Sequence, residues 1–190
     1  MEKIERVLII VDGSNFYHRL KETSLTRLLA FDYGRFGQFL AGRRMVHAKR
    51  YYIGAIREER GNAKSTALMR GQQKLVSRLQ KAGWEVQFGH MLKTDGYHEK
   101  GVDVLMAVDL LAGAYEDQYD TAILVSSDTD LIPALIKVRD MKKKVEYIGF
   151  SHKPSLGLIT NSDIRRLLTA DDLAQFIAED EAQASQGPIA

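Results

Sequence analysis

The sequence contains no cysteine among its 190 residues. Disulfides, thiolate metal sites and cysteine nucleophiles are therefore excluded. Long apolar runs are also missing: the run nearest the N-terminus, Val7 to Val11, has five residues, whereas a membrane span needs roughly 18. The acidic residues that flank this run do not fit a secretory signal, which needs a basic start. We expect a cytoplasmic protein that does not enter a membrane.

Several common active-site motifs are missing as well. The sequence has no Walker loop and no Gly-x-Gly-x-x-Gly fingerprint, and its five histidines do not show the His-Glu-x-x-His spacing of zinc enzymes. NTP hydrolysis, dinucleotide chemistry and zinc catalysis therefore lose support.

The composition is that of an ordinary globular protein, with 45% apolar and 27% charged residues. A chain of this length fits one domain. We expect that domain over residues 1–150, followed by a C-terminal extension over 151–182 that packs on the same domain and a flexible tail over 183–190.

Segments typical of strands and of helices alternate along the chain. The predicted strands end near residues 11, 56, 90, 125 and 150, and the long segments between them have helical spacing. Residues 93–100 are predicted to form a polar loop, the first helix to run from about Phe16 to Leu29, and a short helix to lie near residues 171–177. The alternation predicts an α/β fold with a central, mainly parallel sheet and helices on both faces.

Acidic residues follow two of the predicted strands. Asp12 comes directly after the first strand, Asp128 and Asp130 come after the fourth, and Asp103 lies in the first turn of a helix. Ligands of open parallel sheets bind beyond the carboxyl ends of the strands, where these acids would meet. Carboxylates at such distances repel each other and raise each other's pKa. Mg²⁺ or Mn²⁺, which prefer oxygen ligands, would remove the conflict.

Each of these residues also has a structural interpretation. Asp12 could belong to an Asp-Gly turn, Asp103 could complement a helix dipole, and Asp128 could cap a helix whose first turn contains Asp130. Asn15 could be a helix cap, a site residue that fixes a carboxylate or phosphate, or both. The grouping of the acids at one edge of one sheet favours a metal site.

Three sequence blocks resemble, in the same order, the motifs of the NYN domain family of PIN-like nucleases, which includes bacterial proteins of the LabA type. The blocks are DGSN after the first strand, KGVDV followed by Asp109, and SSDTDLIPAL after the fourth strand. The resemblance covers roughly residues 5–150. It implies a three-layer PIN-like fold with strand order 3-2-1-4-5 and an acidic pocket that binds Mg²⁺ or Mn²⁺ and cuts RNA.

The resemblance also implies roles for single residues. By motif, the metal-binding and catalytic acids are Asp12, Asp103, Asp128 and Asp130, with Asn15 beside the first. The chain departs from the family at Ser127, where Gly is frequent, and at Leu131, where Phe is frequent, but it keeps the carboxylates. Asp109 lies about 120° round the helix from Asp103, so we expect it to play a supporting or structural role.

Basic residues are concentrated in the first half of the chain. Residues 1–100 contain 19 Lys and Arg against 10 Asp and Glu, and residues 101–190 contain 8 against 15. Such asymmetry is typical of a surface that meets a polyanion. Two basic clusters are candidates for phosphate contact, and so is a lysine that precedes Asp103 in the sequence. These residues are Arg43 and Arg44; Arg70, Lys74 and Arg78; and Lys100. The neighbouring Tyr51 and Tyr52 could stack on bases or belong to the core, and a basic stripe could equally be a solvated helix face.

The sequence thus supports two main hypotheses. The first is an Mg²⁺- or Mn²⁺-dependent ribonuclease that acts on single-stranded or structured RNA. The alternative is an RNA-binding or regulatory module that keeps a weakly active acidic pocket. Toprim and receiver domains also gather acids at strand ends, but their characteristic arrangements match less well. Whether the chain forms a homo-oligomer is left open.

Overall fold

The computed structural model describes residues 4–23, 29–56, 62–93 and 97–177. Within these ranges the strands are β1 (Arg6–Asp12), β2 (Met45–Gly54), β3 (Glu85–Lys93), β4 (Tyr97–Lys100), β5 (Thr121–Val125), β6 (Lys144–Phe150) and β7 (Ile164–Leu168). The α-helices are α1 (Gly13–Glu22), α2 (Tyr33–Ala41), α3 (Ala63–Lys81), α4 (Val102–Tyr115), α5 (Ile132–Asp140), α6 (Leu156–Thr160) and α7 (Ala170–Ala174). A 3-10 turn, Thr129–Leu131, directly precedes α5.

The strands form one sheet in the order β4-β3-β2-β1-β5-β6-β7. All neighbouring strands are parallel except β3 and β4, which are antiparallel. The five predicted strands correspond to β1, β2, β3, β5 and β6, so the predicted α/β fold and the order 3-2-1-4-5 are confirmed. The additional strands extend the sheet at its two edges.

The prediction of a polar loop over residues 93–100 is wrong, because residues 97–100 pair with β3 as β4. The sequence between the two strands contains Asp95-Gly96, a pair that favours hairpins, although residues 94–96 lie outside the described ranges. β7 was missed because its sequence, IRRLL, shows no alternation of polar and apolar residues. The first helix also begins three residues earlier than predicted, at Gly13, and ends at Glu22.

The sheet lies between two apolar cores. Side chains of β1 alternate between them: Val7, Ile9 and Val11 pack with the core under α1, α2 and α3, while Leu8 and Ile10 pack with the core under α4 and α5. This alternation follows from the two-residue period of a strand. The continuous apolar sequence of β1 is therefore explained by burial on both faces, as in other parallel sheets.

The chain after β6 is attached to the main sheet by an ionic cluster. Glu146 of β6 is 2% exposed and lies 2.7 Å from the guanidinium of Arg44 and 2.6 Å from that of Arg166 in β7. A buried carboxylate needs such partners, since an uncompensated charge in the interior is strongly destabilising. Further along, Phe176 packs against the rings of Phe31 and Phe36. None of the helices in the described ranges combines the length and apolar character required to cross a membrane.

Candidate active site at the carboxyl edge of the sheet

The order of the strands creates a crevice at the end of β1. The chain leaves β1 towards β2 on one side, and later enters β5 on the other side. The helices that connect these strands therefore diverge, which opens the sheet at its carboxyl edge, the usual ligand site of such folds. β1 ends at Asp12 and β5 ends at Val125, so the residues after these strands face each other across the crevice.

The turn from β1 into α1 is immediate and depends on Gly13. A Cβ atom at Gly13 would lie 2.3 Å from the ring of Tyr51 and 2.7 Å from the carbonyl oxygen of Tyr52. The N-terminus of α1 therefore packs closer to β2 than any residue with a side chain would allow. The Asp-Gly pair is not a free turn but the first turn of α1, and it fixes the position of Asp12.

Asp12 is buried, with 5% of its surface exposed. One carboxylate oxygen, Oδ1, accepts a 2.9 Å hydrogen bond from the backbone N–H of Asn15, so Asp12 caps α1. The other oxygen, Oδ2, accepts a 3.0 Å hydrogen bond from the hydroxyl of Ser126. These two bonds hold both oxygens in place, and each oxygen keeps a second lone pair for another ligand.

Hydrogen bonds connect the segment after β5, residues 126–130, to Asp12. The backbone N–H of Asp128 donates to the hydroxyl of Ser126 at 3.0 Å, and the backbone N–H of Asp130 donates to Oδ1 of Asp128 at 2.9 Å. Arg19 of α1 donates to the hydroxyl of Ser127 at 3.2 Å. Asp128 therefore does cap a short helical turn, and the same bonds orient its carboxylate.

Asp103 enters the crevice from a third element. It lies in the first turn of α4, shortly after Gly101, whose φ of 80° is left-handed and favours glycine. Its position at the helix N-terminus suits a negative charge, because the unpaired N–H groups there carry partial positive charge. The N-termini of α1 and α4 thus both point towards the same crevice.

These elements enclose an acidic cavity of about 330 Å³. The residues that line and define the acidic cavity are Asp12, Ser14, Asn15, His18, Gly101, Val102, Asp103 and Asp128. The structure therefore brings four of the five predicted site residues into one cavity. The fifth, Asp130, is exposed and does not line it, although its charge acts on Asp103.

Crowding and burial change the acidity of the carboxylates. Burial raises the pKa of Asp12 to about 6, and the negative charges of Asp103 and Asp128 add to the rise. The hydrogen bonds from Asn15 and Ser126 oppose it, since they stabilise the charged form. The pKa of Asp103 is also raised, by partial burial and then by Asp128 and Asp130. A cation in the cavity would relieve this repulsion.

The lining atoms fit a hard divalent cation. The carboxylates of Asp12, Asp103 and Asp128 supply oxygen donors, and the side-chain oxygen Oδ1 of Asn15 is buried without a hydrogen-bond partner among the described residues. Within the same ranges, no three or more His, Cys, Asp or Glu side chains form a compact metal-binding cluster. Mg²⁺ keeps several waters and needs only one or two direct carboxylates, so it does not require such a cluster.

Asp109 lies away from the acidic cavity, on another face of α4. Its Oδ2 accepts a 2.5 Å hydrogen bond from the hydroxyl of Tyr52 and lies 3.4 Å from the guanidinium of Arg50. These contacts agree with the prediction from the helical period that Asp109 and Asp103 point in different directions. Asp109 ties α4 to β2.

The predicted basic residues are not all near the site. Arg43 and Arg44 precede β2, whose first residue pairs with the start of β1, so they lie at the amino edge of the sheet, opposite the cavity. Arg44 is also bound to Glu146. Contact of this pair with RNA therefore stays a prediction, and such a contact would lie at the opposite edge of the sheet from the cavity.

The other predicted contacts have different outcomes. Arg70, Lys74 and Arg78 are exposed on α3, which begins at the carboxyl edge, where β2 ends. Tyr51 and Tyr52 are 1% and 0% exposed, so they are core residues and do not stack on bases. The backbone of Lys100 belongs to β4, but its side chain lies outside the described part of the structure.

Three polar side chains of the site were not predicted. Ser14 and His18 line the cavity from α1, and their spacing of four residues, with Asn15 beside Ser14, is the signal that places them on one face of the helix. Ser126 joins Asp12 to the segment that carries Asp128. The position of Ser126 directly after a buried strand is a weak signal for this role, because its hydrogen bonds to Asp12 and Asp128 depend on its side-chain conformation.

Comparisons with known proteins agree with the fold. The sequence model of the NYN domain matches residues 6–166. The structure is similar to the crystal structure of a protein of unknown function from Vibrio parahaemolyticus, with 25% sequence identity and a TM-score of 0.69 over 94% of this chain and 100% of that one. The search of curated proteins gives no match.

Proposed function

The chain belongs to the NYN domain family, and from this we propose that it is a metal-dependent ribonuclease that hydrolyses phosphodiester bonds of RNA. Membership implies a PIN-like nuclease fold. The observation that carries the proposal is the acidic cavity, in which carboxylates from the end of β1, the start of α4 and the segment after β5 converge. Placing two partly exposed carboxylates next to the buried carboxylate of Asp12 costs stability, so it is expected only where a cation or another positive group compensates.

Each residue of the cavity has a role in the proposal. Asp12, Asp103 and Asp128 hold Mg²⁺ or Mn²⁺ directly or through water, and Asp130 adds negative charge from the rim. When bound, the ion activates a water molecule and neutralises charge that develops on the phosphate. Asn15 offers its unpaired Oδ1 to the ion or to a bound water. Ser14 and His18 lie where they can donate hydrogen bonds to a phosphate oxygen.

Two further features support RNA as the substrate. The N-termini of α1 and α4 attract phosphate through their unpaired N–H groups. The exposed side chains of Arg70 and Lys74 lie on α3, the helix that comes after β2 at the same edge of the sheet. Basic side chains position a nucleic-acid backbone without reading its sequence.

The test is cleavage of a labelled single-stranded RNA with Mn²⁺ or Mg²⁺ by the parent protein and by Asp12→Asn, Asp103→Asn and Asp128→Asn. We expect each substitution to lower the rate by more than roughly 100-fold, since residues that only orient metal ligands are already worth about 10- to 100-fold. The matched control is Asp140→Asn, because Asp140 is an exposed carboxylate on α5 paired with Lys137 at 3.1 Å. It should cleave like the parent.

Undiminished cleavage by Asp12→Asn and Asp128→Asn would remove these residues from the mechanism. A different result would favour the RNA-binding or regulatory alternative: tight RNA binding by the parent protein with no cleavage under either metal. Loss of activity on chelation by EDTA and its return with Mn²⁺ would separate a metal-dependent reaction from contamination by a metal-independent ribonuclease.

A further inference from the structure

An apolar groove lies next to the acidic cavity, between α1, α3 and the end of β2. Its volume is about 590 Å³. The side chains that give it its apolar character are Tyr17, Leu29, Ile53, Ile56, Leu68 and Leu75. None of the described residues that line this α1–α3 groove is charged. Exposed apolar surface of this kind usually marks a binding site.

The α1–α3 groove adjoins the acidic cavity. Ser14 lines both. Tyr17 lines the groove and the adjacent His18 lines the cavity, and their rings are 5.4 Å apart. A ligand anchored by a phosphate in the cavity therefore has the groove within reach of its neighbouring groups. In a nucleic acid, the base is the neighbouring group that has two apolar faces.

Gly71 supports a ligand in the groove independently of this adjacency. It lies inside α3, where glycine is less favourable than alanine. A Cβ atom at this position would meet no heavy atom within 4 Å, and its φ does not lie in the positive range that favours glycine. Packing and backbone conformation within the described protein therefore do not require glycine here. The missing side chain leaves the floor of the groove open.

The groove is suited to stacking more than to reading hydrogen bonds. The amide of Gln72, which lines it, donates to the carbonyl oxygen of Gly54 at 2.6 Å and accepts from the N–H of Ile56 at 2.9 Å. Tyr17 is 39% exposed, and its ring can contact a base face. By the helical period, Lys74 lies about 60° round α3 from Gly71, so a backbone phosphate could meet it while the base enters the groove.

We propose that the α1–α3 groove binds one unpaired nucleobase adjacent to the phosphate held in the acidic cavity. The inference rests on the proposed ribonuclease function and narrows the substrate to RNA that is single-stranded at the cleavage position. A base that stays paired inside a duplex is not available to enter the groove. Because stacking tolerates every base, the site selects for an unpaired strand and not for one sequence.

The test measures RNA binding separately from cleavage. Single-stranded oligonucleotides with 2-aminopurine at successive positions are titrated in Mg²⁺ with proteins that all carry Asp12→Asn, so that the strand stays intact. Into this background we introduce Gly71→Leu, which fills the groove. The matched control is Gln73→Leu, since Gln73 is exposed on α3 and does not line the groove. Gly71→Ala is the second control, because it adds little volume and favours the helix.

We expect Gly71→Leu to raise the Kd by about 5- to 150-fold, the range for loss of one stacked base. It should also abolish the fluorescence change of 2-aminopurine at one position, whereas Gln73→Leu and Gly71→Ala keep both. Equal Kd values for Gly71→Leu and Gln73→Leu would overturn the inference, and this is the result expected if the groove instead receives an apolar side chain of a partner protein.

A substitution in the RNA keeps the test valid if Gly71→Leu does not fold. An abasic ribonucleotide at the sensitive position should weaken binding to the background protein by a similar factor, and no weakening at any position would overturn the inference. Cleavage assays with proteins that retain Asp12 distinguish the two proposals. If the parent cleaves RNA and Gly71→Leu and Gln73→Leu cleave it at equal rates, the groove proposal alone is refuted. If the groove binds a base but no metal-dependent cleavage occurs, the ribonuclease proposal alone is refuted.

Discussion

Ser126 and Asp12 are joined by a buried hydrogen bond of 3.0 Å between the hydroxyl and Oδ2. The same hydroxyl accepts the backbone N–H of Asp128 at 3.0 Å, and Ser126 is fully buried. One hydroxyl thus connects the carboxylate at the end of β1 with the segment that carries the second carboxylate. The relative position of the two acids depends on it.

Removal of this hydroxyl should disturb both stability and metal binding. Ser126→Ala leaves a buried carboxylate oxygen and a backbone N–H without their partner, which costs roughly 1–3 kcal/mol. We expect Mn²⁺ affinity to fall about 10- to 100-fold, the usual effect of losing a group that orients a metal ligand. Urea unfolding and Mn²⁺ titration measure the two effects. Ser127→Ala is the control, because Ser127 binds Arg19 and not a carboxylate; equal behaviour of the two variants would contradict the prediction.

The raised pKa of Asp12 predicts an unusual pH dependence for the metal-free protein. Its pKa is about 6 in the folded protein against 3.8 for an ordinary aspartate, so the folded state holds the proton more tightly than the unfolded state does. Stability is then lost as the pH rises from about 3.8 to about 6 and stays lower above that range. Asp12→Asn lacks this loss while keeping a good helix cap.

We therefore expect metal-free Asp12→Asn to be more stable than the parent at pH 8, by on the order of 2–3 kcal/mol. The two proteins should converge below pH 4. Chemical unfolding in EDTA at several pH values gives the difference, in which the titration of groups remote from the acidic cavity cancels. A constant difference across the whole range would show that ionisation of Asp12 is not responsible.

Much of the fold and the heart of the site could be predicted from the sequence. The run Val7 to Val11 is apolar throughout, and this pattern is typical of a strand buried on both faces. Once the sheet is parallel, Asp12 and Asp128 must lie at the same edge, since Asp12 ends one strand and Asp128 closely follows another. The helical period likewise separates Asp109 from Asp103 without any knowledge of the tertiary structure.

The remaining features depend on contacts between residues that are distant in the sequence. Arg44 and Glu146 are 102 positions apart, and nothing near either residue indicates that they pair. The role of Ser126 depends on one side-chain conformation. The α1–α3 groove is a space between two helices, and its only local signal is Gly71, a glycine inside a helix for which the described residues give no packing reason. Interhelical gaps of this kind follow from tertiary packing and leave no periodic pattern.

The position of Arg44 leads to a prediction that separates stability from RNA binding. Its guanidinium donates to Glu146 at 2.7 Å and to the carbonyl oxygen of Leu40 at 2.8 Å. Arg44→Ala should lower the free energy of unfolding by roughly 1.5–3 kcal/mol, the range for hydrogen bonds to a charged group, because Arg166 still partners Glu146. Cleavage and RNA affinity per folded molecule should not change.

Thermal unfolding and RNA titration of Arg44→Ala and Arg43→Ala make this comparison. Arg43 is exposed, so its substitution should leave stability within about 0.5 kcal/mol of the parent. A marked loss of RNA affinity in folded Arg44→Ala would show that the amino edge of the sheet contacts RNA after all.

Asp103 and Asp109 lie on the same helix, and their substitutions should have opposite effects. Asp109 is bound to Tyr52 and Arg50, so Asp109→Asn should destabilise the protein by roughly 1.5–3 kcal/mol. Mn²⁺ should still stabilise this variant, by about 2.7 kcal/mol at 100 times the Kd, because the acidic cavity is intact. Asp103→Asn should not be destabilised in EDTA at neutral pH, since it removes a repelling charge, but it should lose most of the stabilisation by Mn²⁺. Unfolding with and without Mn²⁺ measures both, and loss of the Mn²⁺ response in Asp109→Asn would mean that Asp109 belongs to the metal site.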